Sequence, residues 1–375
     1  MASASALIYA PAGLTGALAR SPSGGVAFQG AILYTDIVGS SGLTRAHVER
    51  GVEALGAALN DYFADLFTVV EAYGGEVLRL DGDAMLALWR AAPSAPLKAA
   101  LSAAAAAAQT LRPLLVQCSG DLAAVPHRLA LSCGLLRADL LDAGDERAFI
   151  VVSGAPLDAL SGPLARGAAG EILASDAARA ALGDGAAFVP AGPGLWRLLA
   201  APAVNGAAAM AAPVPVDAVP IDAVAAATAP RLLSAAARAR LKDGMPQWIA
   251  EFRRISCIQI GLAVYDAGAL ARTQAALTPL RAGLWDVTVS DKGAVLTVVF
   301  GLPPFARENG AQWAVEAARK VAEALAGAGP APAIGVATGD ALAGDVGTKR
   351  RRSEFLVGEV MVHFPRAGFI VSAAG

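Results

Sequence analysis

The same order of sequence signals runs twice along this chain, on either side of a stretch rich in alanine, proline and valine at residues 201–230. A period this long is information about architecture: the chain is laid out as two similar units joined by a linker. The first unit opens with Tyr9-Ala10-Pro11 and a short helical stretch, followed by the apolar strand Ala31–Asp36. The second opens with Ala229-Pro230, a helical stretch through Arg240 and the strand Ser256–Ile260. In the first unit Leu55, Leu59, Tyr62, Leu66 and Val69 recur at helical spacing, so a long helix is expected over about 51–72, stopped by Gly74-Gly75. A hairpin follows, with strands Val77–Leu80 and Ala84–Trp89 around Asp81-Gly82-Asp83, because Asp-Gly between apolar runs favours a tight turn. The second unit has its own hairpin, Trp285–Val289 and Ala294–Phe300, and a helix over 309–327. Late in each unit two further strands are expected, around Cys133–Asp139 and Phe149–Gly154 in one, Ile334–Asp340 and Phe355–Gly358 in the other. Strands alternating with helices, plus antiparallel hairpins, imply an α+β sheet with helices packed on it. The units are residues 1–200 and 231–375, and the second reads as cut short, with further domains in a longer parent chain.

Composition narrows the function classes. Of 375 residues, 55% are hydrophobic and 17% charged, which suits packed cores and not a disordered chain. A formal net charge of −2 gives no basic footprint for nucleic acid. Cys118, Cys133 and Cys257 are odd in number and far apart, which argues against a disulfide framework or a zinc site and points to a reducing, cytoplasmic compartment. No apolar span of the ~20 residues that a membrane helix needs stands out, so no membrane partner is expected.

Two acidic residues carry the chemistry. Asp36 ends an apolar strand and Asp83 sits in the turn of the neighbouring hairpin. If those strands pair, the two carboxylates reach one sheet edge about one strand spacing, ~5 Å, apart. The turn Ile37-Val38-Gly39-Ser40-Ser41 after Asp36 offers backbone N–H groups near a helix start, which is an anion cradle. Carboxylates beside a phosphate cradle suit Mg²⁺. Asp81 is assigned to the turn itself.

The stretch Leu33-Tyr34-Thr35-Asp36-Ile37-Val38-Gly39-Ser40-Ser41 resembles the first metal motif of class III nucleotide cyclases, and 71–89, from Glu71 to Trp89, resembles the second. The later stretch is similar to the first domain of soluble adenylyl cyclases. The second half resembles their second domain through Phe252-Arg253-Arg254-Ile255, Asp291-Lys292-Gly293, Phe300-Gly301-Leu302-Pro303-Pro304 and Ile334-Gly335-Val336-Ala337-Thr338-Gly339. The resemblance implies two ferredoxin-like domains packed head to tail about a pseudo-twofold axis, with the active site between them. It implies two Mg²⁺ ions, replaceable by Mn²⁺, held by Asp36 and Asp83 with the Ile37 backbone as a further ligand. Gly39, Ser40 and Ser41 would hold the β- and γ-phosphates, and Arg366 would stabilise transition-state charge. The implied reaction is conversion of ATP to cyclic AMP and pyrophosphate.

Several positions depart from the family's pattern. The ribose-orienting asparagine falls on Val362, and the lysine that contacts adenine falls on Asp286, an acceptor instead of a donor. Guanylyl cyclases place an acid there, so GTP is the alternative substrate. The other base-reading position falls on Leu356, which offers backbone only. A lysine associated with the leaving phosphates falls on Ala130, with Arg128 nearby as a substitute. Of the basic pair that binds bicarbonate, Arg79 is present and Leu160 replaces the other, which disfavours bicarbonate activation. With these substitutions, a non-catalytic module that binds nucleotide or senses a ligand is the second reading.

Overall fold

The structure is a computed structural model that describes residues 2–37, 52–92, 96–117, 127–142, 147–204, 222–244, 250–264, 267–290, 293–303, 306, 309–327, 329–358, 360 and 369–373. Two short helices, α1 (Ala2–Leu7) and α2 (Ala12–Ala19), precede strand β1 (Gly25–Ile37). The long helix α3 (Val52–Ala72) buries Leu55, Leu59, Tyr62, Phe63, Leu66, Phe67 and Val70, the stripe that its periodicity predicts. It ends where Gly74 takes a φ of 73° and the Gly75 N–H donates to the Val70 carbonyl at 2.9 Å. Strands β2 (Glu76–Asp81) and β3 (Ala84–Arg90) then form the expected hairpin. Asp81 pairs with Ala84, so the turn is the two residues Gly82 and Asp83, with Gly82 at a φ of 68°.

The first sheet continues through α4 (Leu97–Gln117), β4 (His127–Asp142), β5 (Ala148–Ser153), α5 (Ala155–Asp158), α6 (Ser161–Arg166), β6 (Ile172–Ser175), α7 (Asp176–Leu182), β7 (Ala187–Gly192) and β8 (Leu195–Ala200). Its order is β2-β3-β1-β4-β6-β8-β7, with β5 also on β4. Helices α8 (Ala223–Leu232) and α9 (Ala235–Lys242) lead to the second sheet. That sheet comprises β9 (Glu251–Leu262), α10 (Ala267–Leu277), β10 (Leu284–Ser290), β11 (Gly293–Phe300), α11 (Gly310–Leu325), β12 (Ala333–Gly347), β13 (Arg352–Val357) and β14 (Phe369–Ala373). Its order is β10-β11-β9-β12-β13, with β14 parallel to β12.

The repeat seen in the sequence is therefore a repeat of topology. In each sheet a hairpin flanks a central strand, which pairs antiparallel with a long strand: β3-β1-β4 in one, β11-β9-β12 in the other. Each long strand carries an antiparallel partner (β5, β13) and a parallel one (β6, β14). The β7–β8 hairpin is an addition on the edge of the first sheet.

The two sheets exchange core residues. Leu342 and Val346 of β12 and Phe355 of β13 are buried in the cluster formed by α3, α4 and the first sheet. Phe149 and Val151 of β5 are buried among Ile258, Ile260, Leu296 and Val321 of the second half. This reciprocity is what a self-complementary packing of two similar units requires. Arg147 pins the same junction: its Nε donates to the Leu232 carbonyl and its Nη1 to the Trp285 carbonyl, both at 2.9 Å, and its guanidinium lies 5.1 Å from the Phe149 ring centroid. Helices α1 and α2 pack against α8 and α9, burying Ala6, Ala10, Ala229, Leu233 and Ala237 together.

Cys133 and Cys257 are buried free thiols, and burial pushes their pKa values up to about 11 and about 12. Since the thiolate is the reactive form, neither should react with Ellman's reagent at pH 8 in a native Cys118→Ser variant, while both should in denaturant. Fast native labelling of either cysteine would contradict this packing.

Candidate active site

Asp36 and Asp83 come from neighbouring strand ends. Thr35 pairs with Met85 in the β1–β3 ladder, so Asp36 stands one residue past that rung and Asp83 two residues before it. Side chains alternate along β1: Leu33, Thr35 and Ile37 turn toward the helices, while Tyr34 and Asp36 share the opposite face. On that face Asp36 lies opposite Arg128 of β4. The Arg128 Nε and Nη2 both donate to Asp36 Oδ2, at 2.8 and 2.5 Å, with both side chains about a quarter exposed. Beside Tyr34, Arg79 Nε lies 2.8 Å from Asp81 Oδ1.

The charges around Tyr34 show how acidic this corner is. Its phenol is pushed far above its usual range by burial, then by Asp81, with Asp36 and Asp83 adding and Arg79 opposing. The Asp81 carboxyl is also raised: burial dominates and Asp286 of the other sheet adds, against Arg79 and the Tyr34 hydrogen bond. Burial would loosen the Arg79 proton, but Asp81 and then Asp286 outweigh it and hold the guanidinium charged. Three carboxylates thus act on one phenol, opposed by Arg79.

The hairpin side of this corner lines a cavity of about 920 Å³ between the sheets, whereas Tyr34, Asp36 and Arg128 are not among its lining residues. The first half lines it with Arg79, Asp81, Asp83 and Phe149, and the second with Asp286 and Leu356, among others. Asp286 is half-buried, accepts a hydrogen bond from Thr288 Oγ1 at 3.0 Å and faces the hairpin across the gap. Leu356 is buried and lines the cavity.

Of the residues singled out from the sequence, Asp83, Asp286 and Leu356 line this cavity, and Asp36 with Ile37 ends the strand beside the hairpin. Gly39, Ser40, Ser41, Val362 and Arg366 lie outside the described residues. Leu160 is buried in the apolar cluster with Leu14, Leu18 and Ala130, away from the cavity lining that holds Arg79. Two functional candidates escaped the sequence reading: Asp81, assigned to the turn, is a strand residue that lines the cavity, and Tyr34 sits at the centre of the acids. Arg128, read as a substitute near the leaving phosphates, pairs instead with Asp36. The period-two spacing of Tyr34 and Asp36 was the available signal for Tyr34.

No protein-family model matches the chain. Among curated proteins, adenylate cyclase type 10 of Rattus norvegicus is 35% identical over 68 residues, covering 17% of this chain and 4% of that protein. The Homo sapiens protein of the same name matches equally, at 35% over 68 residues, so the match spans only about 4% of these relatives' length. Among solved structures, a class III adenylyl cyclase-like ATP-binding protein from Pseudomonas aeruginosa superposes with a TM-score of 0.57 at 11% identity, covering 96% of this chain and 87% of the other. A doubled α+β plan, matched over nearly the whole chain by a class III adenylyl cyclase-like protein, shows that the chain has the fold of the class III nucleotide cyclases, which it also resembles over 68 residues of sequence.

Proposed function

We infer that the protein is a nucleotide cyclase that converts ATP to cyclic AMP and pyrophosphate in the cavity between its two sheets. Residues 1–200 and 231–375 act as the paired cyclase domains, with 201–230 as linker. The observation that carries this reading is the meeting of Asp83 from one half with Asp286 and Leu356 from the other in a single cavity of about 920 Å³. That volume suits a nucleoside triphosphate, since small-molecule sites run to roughly 300–1,000 Å³. ATP is favoured by the 68-residue similarity to adenylate cyclase type 10.

Carboxylate oxygens are the ligands that Mg²⁺ and Mn²⁺ prefer, and acidic side chains act on Tyr34 from several sides, while among the described residues no group of three or more His, Cys, Asp or Glu is placed to hold an ion. Asp36 and Asp83 would hold two such ions, with the Ile37 carbonyl as a further ligand. When bound, the ions supply charge stabilisation at the phosphates and lower the pKa of the attacking hydroxyl.

The chain's own residues position the reaction. The ribose 3′-hydroxyl gives up its proton to water as its oxygen forms a bond to the α-phosphorus, the bond from that phosphorus to the bridging oxygen breaks, and pyrophosphate leaves in line with that electron pair. Little covalent work falls to the protein, so rate comes from orientation and charge. Asp286 accepts an N–H from the base edge, and the Leu356 backbone lines the base's slot. Gly39, Ser40 and Ser41 would hold the β- and γ-phosphates and Arg366 would stabilise the developing charge; all four lie outside the described residues. The buried thiols Cys133 and Cys257 suit a cytoplasmic setting; among the described residues no helix is long and apolar enough to cross a membrane.

The test is formation of cyclic nucleotide by the purified protein with Mg²⁺ or Mn²⁺ and ATP or GTP. Cyclic AMP from ATP is expected. ATP bound without product under every condition would replace this reading with that of a non-catalytic nucleotide-binding module.

One observation favours GTP as the second reading: Asp286, lining the cavity, is an acceptor that can take two N–H groups from guanine but one from adenine. Under that reading Asp286→Ala lowers kcat/KM for GTP by about 10- to 100-fold, the cost of a charge-assisted hydrogen bond, and changes that for ATP by less. Equal effects on both substrates would remove Asp286 from base selection.

A further inference from the structure

Asp36 is engaged by a cation that belongs to the chain. Arg128 reaches it directly across the β1–β4 ladder and places two donors, Nε and Nη2, on one oxygen, Oδ2. The neighbouring arginine is committed differently: Arg79 sits on Asp81 and is held further by the charge of Asp286. Arg128 has Asp36 as its acid partner, and the pair is about a quarter exposed, so the guanidinium can leave without abandoning a buried charge. It also stands two residues before Ala130, on the same face of β4, where Asp36 and Tyr34 are the paired residues of β1.

We propose that Arg128 is an exchangeable counter-cation: it holds Asp36 until a divalent ion arrives, and on release turns to the phosphates that arrive with the ion. This deepens the proposed function and rests on Asp36 being a metal ligand. Guanidinium and ion compete for the same carboxylate oxygen, so each must lower the other's occupancy. A released guanidinium keeps its full charge, and phosphate oxygens match its planar donors. Arg128 is thus a positioning residue that couples ion binding to nucleotide binding without taking part in bond making.

The two halves of this exchange have opposite signs, which a merely structural role would not produce. Arg128→Gln is expected to tighten Mn²⁺ binding about three- to tenfold without nucleotide, read from free Mn²⁺ by electron paramagnetic resonance. The same variant is expected to bind 3′-deoxy-ATP about tenfold more weakly at saturating Mn²⁺, read by calorimetry. Arg128→Lys, which keeps the charge with a single donor group, should fall between, and it carries the test if the glutamine variant does not fold. Mn²⁺ affinity that is unchanged or weaker in these variants overturns the exchange. Mn²⁺ affinity that is unchanged in Asp36→Asn overturns instead the assignment of Asp36 as a ligand, and with it the metal chemistry of the proposed function.

Discussion

Asp83→Asn is expected to cut cyclic-nucleotide formation by at least about 10²-fold while the protein melts within a few degrees of wild type. The substitution is nearly isosteric, and asparagine is as acceptable as aspartate in a two-residue turn beside glycine, so the hairpin should close unchanged. The loss is the negative charge at the cavity wall, in the corner it shares with Asp36 and Tyr34. Removing one group that stabilises transition-state charge commonly costs 10²–10³ in rate, and a metal carboxylate belongs to that class. Asp83 is a cleaner choice than Asp36, because replacing Asp36 also releases Arg128. The measurement is product formation at saturating Mn²⁺ and ATP, with a thermal melt beside it. Turnover within threefold of wild type in a folded variant would strike the hairpin carboxylate from the mechanism.

Phe67→Ala is expected to cost about 3–5 kcal/mol, read from urea unfolding. The ring is fully buried in the cluster where α3 meets Leu342, Val346 and Phe355 of the second half. It also lies against Gly347: a Cβ built on that glycine would stand 2.8 Å from Phe67 Cε2, and the glycine takes a φ of 128°. The void left by the ring is bounded by strand backbone, which cannot collapse into it, so the cavity penalty should sit at the upper end of the range. Because the cluster spans both halves, they should unfold together in one transition. A cost below ~1 kcal/mol, or two separate transitions, would mean that α3 does not pack on β12.

Much of the architecture was legible because it is written in local periodicity. The α3 stripe, the Asp-Gly turn and the paired strand runs of each half all depend on residues a few positions apart, and the elements lie where those patterns place them. Contacts set by distant registers were not legible. Arg128 meets Asp36 across 92 positions of sequence, and only the β1–β4 register brings them opposite each other. The exchange of Phe149 for Phe355 between cores was hidden for a related reason: Phe149-Ile150-Val151-Val152 in β5 and Phe355-Leu356-Val357 in β13 are continuous apolar runs, so the pattern reports burial without saying in which half. Asp81 was misread because a turn of Asp-Gly-Asp was expected, whereas its pairing with Ala84 makes it the last strand residue, and it lines the cavity.

The small cluster of α1, α2, α8 and α9 has a consequence for the order in which the protein is made. Ala6 and Ala10 find their cover in Ala229, Leu233 and Ala237, and Arg20 finds Asp222 at 2.8 Å. A ribosome delivers the first of these partners more than 200 residues before the last, so a nascent chain carries α1 and Ala10 without this cover while the whole first sheet emerges. Sealing that face is therefore a late event in biogenesis, and slow translation through residues 201–230 would lengthen the interval in which chaperones find it.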